Sequence, residues 1–435
     1  MIIKEVRFID LFAGMGGTRI GFEDAIQDIG LSSSCVFTSE IKKHAIEAYK
    51  NNFNDDDIFG DIIPIDPEDI PDFDFLLAGF PCQPFSSAGN RHGFLDERGG
   101  LFFKIYEILK SKRPEGFLLE NVDGLVTHNG GKTFQTIIDK LVNLGYYVEH
   151  SIFDSFDFGV PQRRKRVYIV GSLIAKPVFS LPLVERRTAA NFIDYTAPVH
   201  KTTFTRLLSS KFSKEYLEGK AIKDKRGGPN NIHSWDLEVK GRVNSKQKVL
   251  LSEILKKRRS KKWAKNKGID WMDGMPLTVE EIRTFCDYTE LEDDLNYLTD
   301  CGYLKFEYPK KIKIINGLRK RVYKEDSEKG YNIVTGKLSF PISKILDPND
   351  VVPTIVATEA GKIAVSTHEG VRSITINEGL RFSGFPMDYD LSGLDYRLAF
   401  DLLGNTVMPP VIKYVSSCLL EARFNASKYP LSNVS

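Results

Sequence analysis

Over the first 171 residues, short apolar runs alternate with segments whose apolar positions recur every three or four residues. The runs at 6–12, 35–39, 73–78, 116–119 and 167–170 read as strands. Continuous apolar runs of this length mark strands buried on both faces. Between them, Phe22, Ala25, Ile26 and Ile29 follow the i, i+3, i+4, i+7 spacing of one helix face. Phe134, Ile137, Ile138 and Leu141 do so closely, and Leu101, Ile105, Ile108 and Leu109 approximately. Such alternation predicts an α/β fold with a doubly wound, mostly parallel sheet. The pattern stops near residue 172 and returns near 371. There a last helix carries Val411, Tyr414, Val415 and Cys418 on one face and caps the core of the first domain. The expected organisation is residues 1–171 plus 371–435 as the α/β domain, with 172–370 as a second, smaller α+β domain. Within that second domain, two short helices leading into a hairpin around 245–325 resemble a winged helix.

Composition adds one feature to this picture. The 435 residues carry a formal charge of only +2, yet 241–270 holds eleven Lys and Arg against Glu253 and Asp270. The cationic charge is therefore localised, and Trp263 and Trp271 interleave it. That pattern suits a phosphate backbone, the alternative being a solvated helix. The five cysteines are scattered, with no CxxC pair. This argues against a disulfide framework or a zinc site and fits a reducing cytoplasm. No stretch reaches the apolar length of a membrane span.

The candidate chemistry clusters at strand ends. The run at 73–78 ends in Gly79-Phe80-Pro81-Cys82-Gln83-Pro84-Phe85-Ser86. No helix passes through two such prolines, so Cys82 sits on a rigid turn at a strand's carboxyl end, where open α/β sheets bind ligands. The first strand runs into Phe12-Ala13-Gly14-Met15-Gly16-Gly17, glycines that let backbone approach a ligand. Their spacing is not G-x-G-x-x-G, which disfavours a nicotinamide dinucleotide. Glu40 ends the second strand, where a carboxylate can accept from ribose hydroxyls, and Asp61 is a second acid placed to receive an exocyclic amine. The glycine-rich loop 86–100, with Arg91 and Arg98, reads as a positively charged lid. Glu120 leaves an apolar strand, so burial should raise its pKa and suit it to proton donation. In Gln162-Arg163-Arg164-Lys165-Arg166, alternation sends Arg164 and Arg166 to one side, where two guanidinium groups could hold an anion or a carbonyl.

Taken in order, Phe8 to Gly17, Gly79 to Ser86, Glu120-Asn121-Val122, Gln162 to Gly171, Arg372 to Pro386 and Gly404 to Val411 resemble the successive blocks of the bacterial cytosine-C5 DNA methyltransferases. The resemblance covers about 6–171 and 371–423. It implies an S-adenosylmethionine-dependent methyltransferase sheet carrying a target-recognition domain, with S-adenosylhomocysteine as product. It also implies that Cys82 attacks C6 of a flipped cytosine, that Glu120 serves N3, and that Arg166, assisted by Arg164, holds the ring. For the cofactor it implies the methionine end at Phe12 and at Gly14 to Gly16, ribose on Glu40, and adenine between Ile41 and Ile62 with its amine on Asp61. Further cofactor contacts are implied at Pro81, Leu101, Asn405 and Val407. Duplex DNA would be met by Gln83, Ser86, Arg91 and Arg98. It would also be met by Thr354, whose Thr354-Ile355 resembles the family's Thr-Leu recognition signature with isoleucine for leucine. The resemblance further implies no metal, a monomer in the bacterial cytoplasm at the nucleoid, and a restriction-modification setting in which a cognate endonuclease acts separately. Two rivals remain at this stage, a tRNA cytosine-5 methyltransferase and a catalytically silent DNA-binding regulator.

Overall fold

The computed structural model describes residues 5–55, 57–81, 100–181, 184–224, 228–270, 274–315, 318–335 and 340–425. The chain divides into two compact units, one of Met1–Ala197, Pro348–Gly361 and Ile374–Ser435, the other of Pro198–Asp347 and Lys362–Ser373. These boundaries differ from those expected at 171 and 371, because two connecting segments pack on the first unit. The Phe179 ring lies 5.2 Å from that of Phe153, and Val352 pairs with the backbone on both sides of Gln162 through 2.8 and 3.0 Å hydrogen bonds.

In chain order the first unit opens with β1 (Val6–Leu11), α1 (Gly17–Asp28), β2 (Ser33–Ser39), α2 (Lys43–Phe53), β3 (Ile58–Phe59) and β4 (Phe75–Gly79). It continues with α3 (Leu101–Lys112), β5 (Gly116–Val122), α4 (Gly124–Thr127), α5 (Lys132–Asn143), β6 (Tyr147–Asp154) and β7 (Lys165–Ser172). The second unit holds α6 (Thr203–Lys211), α7 (Lys214–Leu217), β8 (Ala221–Ile222), β9 (Asn231–Ile232), α8 (Ser245–Lys257), α9 (Lys261–Asn266), α10 (Val279–Arg283) and α11 (Leu291–Asp300). It ends with β10 (Leu304–Glu307), β11 (Lys310–Ile315), β12 (Leu318–Tyr323), β13 (Gly330–Ile333), β14 (Lys344–Ile345), β15 (Ile363–Thr367) and β16 (Gly370–Ser373). The chain then returns to the first unit as α12 (Ile376–Phe382), α13 (Tyr396–Asn405) and α14 (Pro409–Asn425).

The first unit is built on a seven-stranded sheet of order β3-β2-β1-β4-β5-β7-β6, in which β7 alone is reversed. Strand alternation splits its apolar residues between two cores. Ile9, Leu76, Leu119 and Ile169 face α3 and α5, whose Ile105, Ile108, Ile137 and Leu141 are fully covered. Phe8, Phe75, Leu77 and Val170 face α1 and α14, through Phe22, Ile26, Val411 and Val415. Gly21 is where α1 and α14 touch, since a Cβ there would run into Pro409 and Ile412. Ile29 departs from the expected helix face. The helix stops at Asp28, Gly30 turns the chain at φ 74°, and Ile29 is left 45% exposed. The strand order reverses between β1 and β4, and that switch point opens a crevice at the carboxyl ends of the strands.

The second unit has two cores. One lies under the five-stranded sheet β16-β15-β14-β8-β9 and includes Leu208, Ile222, Ile232 and Ile345. The other gathers Leu250, Ile254, Trp263, Leu295, Leu304 and Ile333 among α8, α9, α11, β10 and β13. Trp263 is 3% exposed, and its indole donates to the Lys257 carbonyl at 2.8 Å. It therefore packs the core and is not a surface ring among the lysines; Trp271 lies outside the described residues. The basic stretch is also partly spent internally. Arg258 is buried and donates to Asn332 at 2.6 Å, and Lys267 pairs with both oxygens of Glu281 at 2.6 and 2.7 Å.

Candidate active site

A cavity of about 730 Å3 opens at the carboxyl ends of β1, β2, β4 and β5 in the first unit. One end is formed by the turn after β1. Phe12 is held at φ 56°, a left-handed conformation that L side chains adopt only when surroundings impose it. Here Ala13 donates to the Ser39 carbonyl at 3.1 Å, and the Gly14 N–H, at φ 57°, reaches Glu40 Oε2 at 2.8 Å. Glu40 Oε1 accepts from the N–H groups of Ile41 and Lys42, both at 2.8 Å. Three backbone donors thus fix the carboxylate and tie the β1 and β2 loops together. Across the opening, Lys42 Nζ and His44 Nε2 lie 3.1 and 2.9 Å from the Asp401 carboxylate, and Asn405 donates to the Asp401 carbonyl at 2.8 Å.

The other end is formed by β4, β5 and the start of β7. Glu120 is buried, and its Oε1 lies 3.0 Å from Arg166 Nε. Burial raises the Glu120 pKa above the usual carboxylate value, against the lowering pull of Arg166 and Arg164. Arg164 is also buried and donates to the carbonyls of Ile355 at 3.0 Å and Gly404 at 3.1 Å. Burial and the nearby Arg166 charge pull its pKa down to about 10, so it stays cationic at neutral pH. Its guanidinium therefore braces two loops, where pairing with Arg166 on a common ligand was expected, and Arg166 is left as the cation on Glu120. Gly404 allows this arrangement, because a Cβ there would run into the Ala357 backbone. Asn121 donates from Nδ2 to the Phe80 carbonyl at 2.8 Å, which pins the end of β5 to the residue before Pro81.

Of the residues singled out in the sequence, Phe12, Gly14, Glu40, Ile41, Asp61, Ile62, Pro81, Leu101 and Asn405 line this cavity together with Glu120, Arg164 and Arg166. Asp61 also accepts from the Ile63 N–H at 3.0 Å. Gly16 and Val407 are not among the lining residues. Gly16 caps α1 at φ 79°, where a Cβ would meet the Phe53 ring, and Val407 packs against Gly17. Thr354 belongs to the first unit, not to the recognition unit as expected, and its hydroxyl donates to the Arg163 carbonyl at 2.6 Å. Cys82, Gln83, Ser86, Arg91 and Arg98 lie outside the described residues; Pro81, the neighbour of Cys82, lines the cavity. Sequence reasoning gave no role to Lys42, Asn121 or Thr406, which also line it, as does Met15 within the Gly14 to Gly16 turn. The signal for Asn121 was its place beside Glu120 at a strand end.

A family model for C-5 cytosine-specific DNA methylase matches residues 6–421. The chain belongs to this family. The methylase is 50% identical over 425 residues to the type II methyltransferase M.NlaIV of Neisseria lactamica, with 96% of this chain and 99% of that one covered. It is 38% identical over 447 residues to M.BanI of Aneurinibacillus aneurinilyticus, with 97% of each covered. Solved structures of the Dnmt2 methyltransferase of S. pombe (TM-score 0.51, 19% identity, 96% and 99% covered) and of the Entamoeba histolytica methyltransferase EhMeth (TM-score 0.50, 16% identity, 98% and 100% covered) share its fold. The methylase is a DNA cytosine-5-methyltransferase. Among the described residues, no helix is long and apolar enough to cross a membrane.

Proposed function

We propose that this methylase modifies C5 of a cytosine flipped out of a specific duplex DNA sequence, taking the methyl group from S-adenosylmethionine and passing through a covalent bond between Cys82 and C6. The observation that carries the reading is that a single cavity joins the Gly14, Glu40 and Asp61 end to the Glu120 and Arg166 end. The donor's groups fit the first end. Glu40 has acceptor capacity beyond its three backbone partners for ribose hydroxyls. Ile41 and Ile62 offer apolar surface to adenine, Asp61 an acceptor to its amine, and Phe12, Gly14, Leu101, Pro81 and Asn405 complete the wall. S-adenosylmethionine supplies an electrophilic methyl group on a sulfonium and leaves as S-adenosylhomocysteine.

C5 of cytosine is a weak nucleophile, and the chain's own residues change that. The Cys82 thiolate forms a bond to C6 while Glu120, whose pKa burial raises, gives a proton to N3. Arg166 holds the ring through its O2, and Arg164 braces the loops around it. The π pair released onto C5 then attacks the methyl carbon. A base, through water, removes the C5 proton, the returning pair expels the thiolate, and N3 gives its proton back to the Glu120 carboxylate. A C6 atom is out of reach inside a duplex, so the base must leave the stack, at a cost of roughly a few kcal/mol. Gln83, Ser86, Arg91, Arg98 and Thr354 are assigned to the DNA, and the second unit to target recognition. Similarity to type II methyltransferases supports a modification enzyme; we assign it to the bacterial cytoplasm as a monomer, beside a separate cognate endonuclease. Incubating the protein with tritiated S-adenosylmethionine and either duplex plasmid or tRNA tests this. Label in duplex DNA, mapped by bisulfite sequencing to one cytosine of a fixed sequence, is expected; label in tRNA alone would overturn it.

A further inference from the structure

We infer that the β11–β12 ribbon of the second unit is a DNA-binding arm that enters a groove of the duplex and takes phosphates on both of its faces. The ribbon forms a two-stranded sheet of its own, with Lys310 opposite Tyr323, Lys311 opposite Val322, Ile312 opposite Arg321, Lys313 opposite Lys320 and Ile314 opposite Arg319. Directly opposed residues share a face. One face therefore carries Lys311, Lys313 and Lys320, and the other Lys310, Arg319 and Arg321. Residues 310–324 contain seven cations and no acid. Among the described residues, only Lys311 and Lys324 of these meet a carboxylate, that of Asp326 at 3.9 and 3.7 Å. Lys313, Arg319, Lys320 and Arg321 are all exposed, as is Ile314 at 74%.

This arrangement is unfavourable by itself. An isolated two-stranded ribbon is marginally stable in water, and like charges directly opposite one another, as Lys313 and Lys320 are, destabilise it further. An anion beside each face relieves the repulsion. Cations on both faces match two rows of anions, which is what the walls of a DNA groove present, and the major groove admits a two-stranded ribbon. The charge also excludes the neighbouring alternative. The order α8, an antiparallel bridge between Leu277 and Tyr331, α10, α11, β10, β11–β12, β13 is that of a winged helix, in which α11 would be the groove-reading helix. Yet α11 contains Glu292, Asp293, Asp294 and Asp300 and no cation, and Glu292, Asp293 and Asp300 are exposed. That helix repels phosphate, so in this winged helix the wing is the part that meets the duplex.

The inference rests on duplex DNA being the substrate. Its test is the salt dependence of binding by the full-length protein to a fluorescent 30-base-pair duplex, followed by anisotropy from 50 to 300 mM KCl. In the variant Lys313→Gln/Arg319→Gln/Lys320→Gln/Arg321→Gln, four cations are lost. The slope of log K against log salt should become shallower by roughly 3 to 4, and binding at 150 mM should weaken about tenfold or more. Lys313→Gln/Lys320→Gln alone should flatten the slope by about 2 and melt no lower than the parent, since it removes a repulsion. Slopes within one unit of the parent in both variants would overturn the arm, as would parental binding to phosphatidylserine vesicles in preference to the duplex. Methylation of the same duplex by the parent protein is measured alongside. If it proceeds while the slopes stay unchanged, the arm alone is wrong; if it fails, the proposed reaction is wrong, and the slopes still report on the arm.

Discussion

Replacing Glu120 by glutamine isolates the proton that the reaction needs at N3. The residue is 8% exposed, and among the described residues its carboxylate is paired with Arg166 Nε at 3.0 Å. A glutamine carbonyl still accepts from that Nε, so the local structure should persist and only the transferable proton is lost. A positioned general acid contributes about 10² to 10⁴ in rate, or roughly 3 to 5 kcal/mol of barrier. The single-turnover methylation rate of Glu120→Gln should therefore fall by that factor, with cofactor affinity unchanged within about twofold. The pH profile carries the sharper signature. Burial raises the Glu120 pKa, so its protonated form persists above the usual carboxylate range and is lost as pH rises through the shifted value. Cys82 requires the opposite, since a free thiol with a pKa of ~8.5 becomes a thiolate as pH rises. The parent rate should thus rise with pH on the thiol's account and fall on the carboxyl's, and Glu120→Gln should lose the falling limb. A rate loss below tenfold, or a falling limb that survives the substitution, would refute the role given to Glu120.

Two further outcomes are expected. Glu40→Gln exchanges a carboxylate that accepts from three backbone N–H groups for a neutral amide. It should weaken S-adenosylmethionine binding about tenfold or more by calorimetry and lower the melting temperature; unchanged affinity would remove Glu40 from the cofactor site. Asp10 is fully buried, accepts from the Tyr49 hydroxyl at 3.3 Å, and is raised from 3.8 to about 7, mainly by burial. Its folded-state pKa lies above the unfolded one, so its contribution is fully present below about pH 4 and is lost as pH rises through about 7, on the order of 4 kcal/mol in total. Asp10→Asn should therefore gain on the parent in unfolding free energy between pH 5 and pH 8, and a gap that does not change with pH would contradict this.

Much of the first unit was legible because its strands are buried on both faces. β4, β5 and β7 contain apolar runs that no surface element would carry, and β1 keeps its apolar residues around Arg7 and Asp10. β6 escaped notice for the opposite reason. It lies at the sheet's edge, with Tyr147 and Ile152 exposed, and lacks such a run. The reversal of β7 is a matter of connection, and no residue pattern within a strand records its direction. In the site, motif order brought Glu40, Asp61, Glu120 and Arg166 to one cavity. Position in the motif could not separate a lining residue from one that supports it. Arg164 turned out to brace backbone carbonyls, Gly16 to fit the Phe53 ring, and Val407 to pack on α1. Charge counting alone overstated the cations that the basic stretch offers to a ligand, because Arg258 and Lys267 within it are consumed internally. The more telling signal was the run without acids at 310–324, whose opposed lysines only register could reveal.

The covalent step is tested most directly by a duplex carrying 5-fluorocytosine at the mapped target, where fluorine in place of the C5 proton blocks release of the enzyme. With S-adenosylmethionine present, the protein should form a denaturation-resistant adduct equal in mass to protein plus methylated duplex strand, and mass spectrometry of its peptides should place the link on Cys82. Cys82→Ser should form none while still binding the cofactor. Methylation of the unsubstituted duplex with no adduct on the fluorinated one, or an adduct that survives Cys82→Ser, would contradict the mechanism.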